Sequence, residues 1–210
     1  MKLYYSPFAC SLAVHIACRE SGLDVELVRV DLVTKRTAAG GLLFTENPMG
    51  QVPTLVLDDG RALIENIAIL AYVADRTPKR ASGTDPESGD TYDLLRWLSF
   101  VATEIHKKVL WSIYTPTGSD DVKDHARKSA KRSLDVVSAQ LESRDTLLGG
   151  SFTVADAYLF WALTILPHAG VPLDDFPVLG RYHALHKSRP AVRAALTHEN
   201  AQHQIPFAAA

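Results

Sequence analysis

The chain has 210 residues, of which 47% are hydrophobic and 22% charged, an ordinary balance for a protein with a sizeable core. Lys and Arg total 22 against 24 Asp and Glu, and this net charge of -2 does not indicate a nucleic-acid partner. No apolar run approaches the ~18 residues of a membrane span. Ser6-Pro7 also interrupts the N-terminus before a signal-type run develops, so we expect a cytoplasmic protein.

The first 76 residues alternate strand and helix patterns. Strands are predicted at 2–5, 25–32, 52–57 and 61–64, and helices at 11–21 and 67–76, with a loop and weak helix at 34–46. Asp58-Asp59-Gly60 marks a turn between the last two strands. The order βαβαββα predicts one mixed sheet covered by helices, an α/β domain.

The composition changes over 77–89, where Pro and Gly occur without apolar periodicity, as in a linker. Helical patterns dominate the remainder of the chain. We therefore predict three parts: an α/β domain at 1–77, a linker at 78–89 and an all-helical domain at 90–210.

Several signals define the helices of the second domain. Long amphipathic patterns cover 91–111 and 121–143. Thr153 and Asp156 have the N-cap and N3 spacing of a capping box before an apolar segment typical of a buried helix. Further helices are expected to start at Pro177 and Pro190.

The chain has two cysteines, Cys10 and Cys18. On one helix their Cα atoms would lie roughly 12 Å apart, whereas a disulfide needs about 7 Å or less, so both are expected to be thiols. Cys10 lies at the start of the first predicted helix, where unpaired N–H groups stabilise a thiolate. The structural alternative is a small buried core residue, which is also the interpretation of Cys18.

Three further places could contribute to a binding site. Val52-Pro53 is a candidate cis peptide, beside which a peptide ligand could add like an extra strand. Glu65 and Asn66 precede a helix and could hold an ammonium and a carboxylate, or could simply cap that helix. His106 could interact with a thiol or, as a cation, complement a helix C-terminus. The other histidines lack the spacing of metal ligands, so no metal is expected.

Taken together, the motifs resemble those of the bacterial beta-class glutathione transferases over essentially the whole chain. The resemblance is carried by Met1-Lys2-Leu3-Tyr4-Tyr5-Ser6-Pro7, Cys10-Ser11-Leu12, Asp31-Leu32-Val33-Thr34-Lys35, Asn47-Pro48-Met49-Gly50-Gln51-Val52-Pro53, Glu65-Asn66-Ile67-Ala68-Ile69, Glu104-Ile105-His106-Lys107 and Phe152-Thr153-Val154-Ala155-Asp156-Ala157-Tyr158. It implies a thioredoxin-like N-terminal domain, a cis Pro53, an all-helical C-terminal domain, a homodimer and glutathione as co-substrate.

The resemblance also implies site residues. Cys10 and His106 would be catalytic, beside the glutathione sulfur. The implied glutathione-binding residues are Ser11, Lys35, Gln51, Val52, Pro53, Glu65, Asn66, Ser99, Thr103, Glu104, Ile105 and Lys107. The implied hydrophobic pocket for the second substrate is formed by Phe8, Trp111, Tyr114 and His168.

Conjugation of the glutathione thiol to small hydrophobic electrophiles, a detoxification reaction, is the activity that this resemblance implies. The alternatives are a redox enzyme, an oxidoreductase or peroxidase that uses a Cys10–glutathione disulfide, and a non-catalytic ligand-binding protein. Ser6 and Ala9 occupy the positions where a glutaredoxin-type motif has cysteines, so a dithiol mechanism is not expected. Residue 66 is Asn where many relatives have Ser or Gly.

Overall fold

A computed structural model of the chain describes residues 1–77 and 90–204. The chain forms two compact units. The first unit comprises Met1–Thr77 together with the described residues from Arg189 onward, and the second comprises the described residues from 90 to 188.

The first unit contains a four-stranded sheet in the order β2-β1-β3-β4. Its strands are β1 (Lys2–Tyr5), β2 (Glu26–Arg29), β3 (Thr54–Val56) and β4 (Ala62–Ile64). β1 pairs in parallel with β2 and antiparallel with β3, and β3 forms the predicted hairpin with β4. Leu3 and Leu55 lie opposite each other, and both are fully buried.

Two helices connect to these strands, and they pack on each other. α1 (Ser11–Ser21) is buried from Ser11 to Cys18 and ends at Gly22, whose φ of 69° is the left-handed conformation of a helix C-cap. α2 (Asn66–Arg76) buries Ile69, Leu70 and Val73. The predicted mixed sheet with helices is confirmed.

The segment between β2 and β3 differs from the prediction. A loop and weak helix are expected over 34–46, and the only helical element that the described structure has there is one 3₁₀ turn, Leu43–Thr45. Asp31 Oδ1 accepts hydrogen bonds from the backbone N–H groups of Val33 and Thr34, both at 2.8 Å, so the chain turns there. Two isolated bridges, Val30 with Thr37 and Arg36 with Leu42, then hold it in an irregular loop.

The regular elements that the structure describes in the second unit are all helical, as predicted. Its elements are α3 (Asp90–Phe100), a π-helical segment (Val101–Trp111) with a final α-turn (Ser112–Tyr114), α4 (Asp120–Leu141), α5 (Val154–Ile165), a 3₁₀ turn (Leu166–Ala169) and α6 (Pro177–Lys187). α5 is buried from Val154 to Leu163, and the capping box of Thr153 and Asp156 that begins it is confirmed. The π segment was not predicted, since a widened helical turn has no residue signature of its own.

The last helix, α7 (Pro190–His203), belongs to the first unit. The buried His15 of α1 contacts Glu199 of α7 at 2.9 Å, and Arg189 forms a two-point ion pair with Glu20. The predicted helical domain at 90–210 placed this segment in the second part of the chain, whereas its contacts group it with the first. The predicted linker at 78–89 lies outside the described residues.

Candidate functional site

Cys10 lies at the N-terminus of α1, as its N-cap residue. Its Sγ donates a hydrogen bond to the carbonyl oxygen of Val52 at 3.2 Å. Cys18, in contrast, is buried, and burial raises the pKa of its thiol to about 12. Neither cysteine forms a disulfide. Cys10 is therefore the more exposed of the two thiols, and Cys18 is a core residue as expected.

The loop before Cys10 is held by internal hydrogen bonds. Ser11 Oγ is fully buried, accepts from the N–H of Ser6 and donates to its carbonyl, both at 3.2 Å. The predicted ligand residue Ser11 thus has a clear structural role within this loop. Phe8 has a φ of 61°, a conformation that is uncommon for a residue with a side chain.

Phe8 is held in that conformation by α7, which sequence reasoning had not connected with the site. Its N–H donates to Glu199 Oε2 at 2.7 Å, and Glu199 is fully buried. Burial raises the pKa of Glu199 to about 8, and burial, with the charge of Arg19, lowers the pKa of His15 to about 4. Because Arg19 donates to Nε2 of the neutral His15, Nδ1 carries the hydrogen and donates to Glu199.

The peptide bond between Val52 and Pro53 is cis, which confirms the prediction. The preceding loop is held by the buried Asn47, which donates from Nδ2 to Gln51 O and to Thr54 Oγ1, both at 3.0 Å. Within the described residues, the N–H of Val52 has no hydrogen-bond acceptor. Val52 thus offers a backbone donor next to the carbonyl that Cys10 contacts.

Glu65 and Asn66 begin α2 directly beside Cys10. Asn66 Nδ2 donates to the carbonyl oxygen of Cys10 at 3.2 Å. Its Oδ1 is buried and accepts no hydrogen bond from any described residue. Glu65 has a φ of 71° and makes no side-chain cap bond, so the alternative of a simple helix cap is not supported. Strained backbone of this kind is typical of ligand sites.

Hydrogen bonds therefore bring three predicted residues together: Cys10, Val52 and Asn66. Lys35, which has a φ of 61°, and Glu65 make no hydrogen bond to this group. Lys35 follows the turn at Asp31. Hydrogen bonds from backbone N–H groups lower the pKa of Asp31, and the bond from Thr34 has the largest effect.

His106 lies in the π segment of the second unit. Its Nδ1 is 2.7 Å from the hydroxyl oxygen of Tyr158, and its ring meets the Trp161 ring edge to face at 4.7 Å. Burial, with a smaller effect of Lys107, lowers the pKa of His106 to about 4. His106 is neutral at neutral pH and cannot complement a helix dipole as a cation. Sequence reasoning missed Tyr158 as its partner.

The remaining predicted residues of the second unit have local contacts. Thr103 Oγ1 donates to Ser99 O at 3.0 Å, and Glu104 pairs with Lys108 at 2.9 Å. Ile105 is buried in the core. The ammonium of Lys107 lies 4.7 Å from the centre of the exposed Trp111 ring. Tyr114 and His168 are exposed.

Among the described residues, no three His, Cys, Asp or Glu side chains are grouped so that they could hold a metal ion. None of the described helices has the length and apolar character needed to cross a membrane.

Two family models match the chain. Residues 1–75 match the N-terminal domain of glutathione S-transferases, and residues 120–196 match their C-terminal domain. The first match contains Cys10, Val52 and Asn66, and the second contains the capping box and Tyr158.

Individual relatives agree with these models. Glutathione S-transferase GstA of Escherichia coli O157:H7 is 39% identical over 199 residues, which are 95% of this chain and 98% of the relative. A sphingomonad glutathione S-transferase solved in complex with glutathione is 44% identical, with a TM-score of 0.89 and coverage of 95% and 99%. A beta-class enzyme of Sphingomonas chungbukensis is 41% identical, with a TM-score of 0.89 and coverage of 95% and 98%. The resemblance found in the sequence is thus confirmed, and the chain belongs to the glutathione S-transferase family.

Proposed function

We propose that this glutathione transferase binds glutathione at the cluster of Cys10, Val52 and Asn66 and conjugates its thiol to small hydrophobic electrophiles. The observation that carries the proposal is the buried Oδ1 of Asn66, an acceptor without a described partner beside the N-terminus of α2. A buried polar atom of this kind costs free energy unless a ligand satisfies it. The sphingomonad relative solved with glutathione supports the choice of ligand.

Each part of glutathione has a matching group. Asn66 Oδ1 and the exposed Glu65 carboxylate accept from the ammonium of the γ-glutamyl unit, while the N–H groups at the start of α2 receive its carboxylate. The backbone of Val52 pairs with the cysteinyl unit as an added strand would. The glycyl carboxylate accepts a hydrogen bond from the ammonium of Lys35. Asn66 differs from a Ser at this position because its amide group also donates a hydrogen bond, from Nδ2 to the carbonyl oxygen of Cys10.

The reaction needs the thiolate of glutathione, since the thiolate is the nucleophile. Hydrogen bonds and positive potential at its sulfur favour the charged form. The sulfur attacks an electrophilic carbon, a C–S bond forms, and the leaving group departs with its electron pair. His106 has the role that the family resemblance implies at the sulfur, as a neutral imidazole. The exposed rings of Trp111 and Tyr114 offer an apolar surface to the electrophile.

Homodimerisation and a cytoplasmic location belong to the same proposal. The dimer is inferred from the family resemblance, and sedimentation velocity of the purified chain tests it directly. The cytoplasm keeps thiols reduced, as the proposed chemistry requires.

Calorimetry with reduced glutathione tests the site. The wild-type chain should bind one glutathione per subunit. Glu65→Gln should weaken binding by about tenfold, because a hydrogen bond to a charged group contributes about 1.5–3 kcal/mol when well formed. Asp75→Asn is the matched control, since it removes one exposed carboxylate from the other end of α2. No heat at millimolar glutathione, or equal effects of the two variants, would contradict the proposal.

A redox activity is the second candidate, since the Cys10 thiol contacts Val52 O at the same cluster. Cys10 would attack a glutathionylated thiol, take over its glutathione as a mixed disulfide and release the substrate thiol. A second glutathione would then attack this disulfide, restoring Cys10 and giving glutathione disulfide. Cys10→Ala should abolish this activity and leave conjugation. Binding without turnover of any electrophile would favour the ligand-binding alternative.

A further inference from the structure

The contact between His106 and Tyr158 joins two different elements of the second unit. His106 belongs to the π segment, and Tyr158 lies in the first turns of α5. Tyr158 is buried, and the capping box that begins α5 fixes its place along the helix. Trp161, one turn further along α5, packs edge to face on the imidazole. The ring of His106 is thus fixed in position and in orientation.

This orientation matters because the two ring nitrogens of a neutral imidazole do opposite things. One carries a hydrogen and donates, and the other has a lone pair and accepts. Nδ1 is bound to the Tyr158 hydroxyl at 2.7 Å. The direction of this hydrogen bond therefore decides whether Nε2 is a donor or an acceptor.

The chemistry of the two groups favours one direction. A phenol hydroxyl is a stronger hydrogen-bond donor than a neutral imidazole N–H, and an imidazole nitrogen is a stronger acceptor than a phenol oxygen. The short distance of 2.7 Å is also typical of an O–H donor. Donation from Tyr158 to Nδ1 places the hydrogen of the imidazole on Nε2.

We propose that Tyr158 is a positioning residue that donates its hydroxyl hydrogen to Nδ1 of His106 and so makes Nε2–H a hydrogen-bond donor. This inference rests on the proposed function, in which His106 acts at the glutathione sulfur. In this tautomer His106 stabilises a thiolate as a neutral donor and does not act as a base that removes the thiol hydrogen. The burial that keeps the ring neutral supports this assignment.

Nitrogen NMR of histidine-labelled protein tests the tautomer directly. The wild-type chain should show His106 with its hydrogen on Nε2, and Tyr158→Phe should give a mixture of tautomers. Tyr182→Phe is the matched control: it also removes a buried hydroxyl from the second unit, at 2.9 Å from Asp156, and should leave the His106 signals unchanged. A wild-type His106 with its hydrogen on Nδ1, or an unchanged tautomer in Tyr158→Phe, would overturn the proposal.

Activity provides a second, independent measurement. With glutathione and a chlorodinitrobenzene, Tyr158→Phe should lower kcat/KM by roughly threefold to tenfold, the effect of one hydrogen bond. His106→Gln can place an amide N–H where Nε2–H lies and should retain several-fold more activity than His106→Asn, which mimics Nδ1. Equal loss in both would overturn the inference, even if Tyr158→Phe fails to fold. Glutathione binding by calorimetry is scored separately, so failure of the proposed function is recognised by itself.

Discussion

Replacing Asp156 by Asn changes one atom of a buried carboxylate that accepts four hydrogen bonds. Oδ1 accepts from the N–H of Leu147 at 2.8 Å and from the Tyr182 hydroxyl at 2.9 Å. Oδ2 accepts from the N–H and the hydroxyl of Thr153, both at 2.8 Å. Because an Asn amide has only one oxygen, its NH₂ group must face two of these donors.

The expected cost follows from that count. On either side one of these donors is a hydroxyl, which can rotate and accept from the NH₂ group, whereas the other is a backbone N–H that loses its acceptor. One buried donor without an acceptor costs about 1–3 kcal/mol, so Asp156→Asn should lower the free energy of unfolding by about that amount. This is a substantial part of the ~5–15 kcal/mol that keeps a typical protein folded. Tyr182→Phe removes only one of the four donors from Asp156 and leaves the carboxylate intact. It should cost about 0.5–1.5 kcal/mol.

Urea unfolding followed by the fluorescence of the three tryptophans measures both variants. The double variant, Asp156→Asn with Tyr182→Phe, adds a sharper test. If the NH₂ group of the introduced asparagine replaces Oδ1, the double variant should lose less free energy of unfolding than the two single variants together. A cost of Asp156→Asn below that of Tyr182→Phe would refute the reasoning, because it would mean that the four donors do not depend on the carboxylate.

Three further predictions concern single side chains. In the native protein, a small alkylating reagent should label Cys10 and spare the buried Cys18, as mass spectrometry of the peptides would show; labelling of both would contradict this. Burial lowers the pKa of His183 to about 4, below the ordinary 6.5, so the unfolded state takes up the proton first. The stability that this side chain contributes is complete above pH 6.5 and is lost as the pH falls towards 4. The free energies of unfolding from urea titrations at pH 7 and pH 5 should therefore differ by up to about 2 kcal/mol more in the wild-type chain than in His183→Gln, which cannot titrate. Gly50→Ala should lower the melting temperature, because a Cβ there would lie 2.6 Å from the Phe44 ring at a φ of 58°; an unchanged melting temperature would show that the ring moves aside freely.

The elements that could be predicted from the sequence are those with local signals. The first helix was placed at 11–21, as observed, because its apolar periodicity and Gly22 lie within one segment. The capping box of Thr153 and Asp156 is a four-residue signature and was also correct. Over 34–46, where a loop and weak helix are expected, the loop is observed but the helix is only one 3₁₀ turn, since the Asp31 turn competes with it.

The relations within the candidate site depend on contacts that no local pattern contains. Phe8 and Glu199 are 191 residues apart, and His106 and Tyr158 are 52 apart. The proposed roles of Cys10 and Val52 depend on the family resemblance, because each motif alone favours a structural role. The hydrogen bond between them relates two residues that are 42 positions apart.

The contact of Glu199 with Phe8 has a consequence for biosynthesis. The backbone turn before Cys10 donates one of its hydrogen bonds to Glu199 of α7, which is translated after the whole second unit. About 120 residues separate Thr77 from Glu199. At a synthesis rate of about 5–20 residues per second, they take roughly 6–24 s to make. During this interval the nascent first unit lacks its final helix. The hydrogen bond between the loop before Cys10 and Glu199 can therefore form only after the second unit has been synthesised.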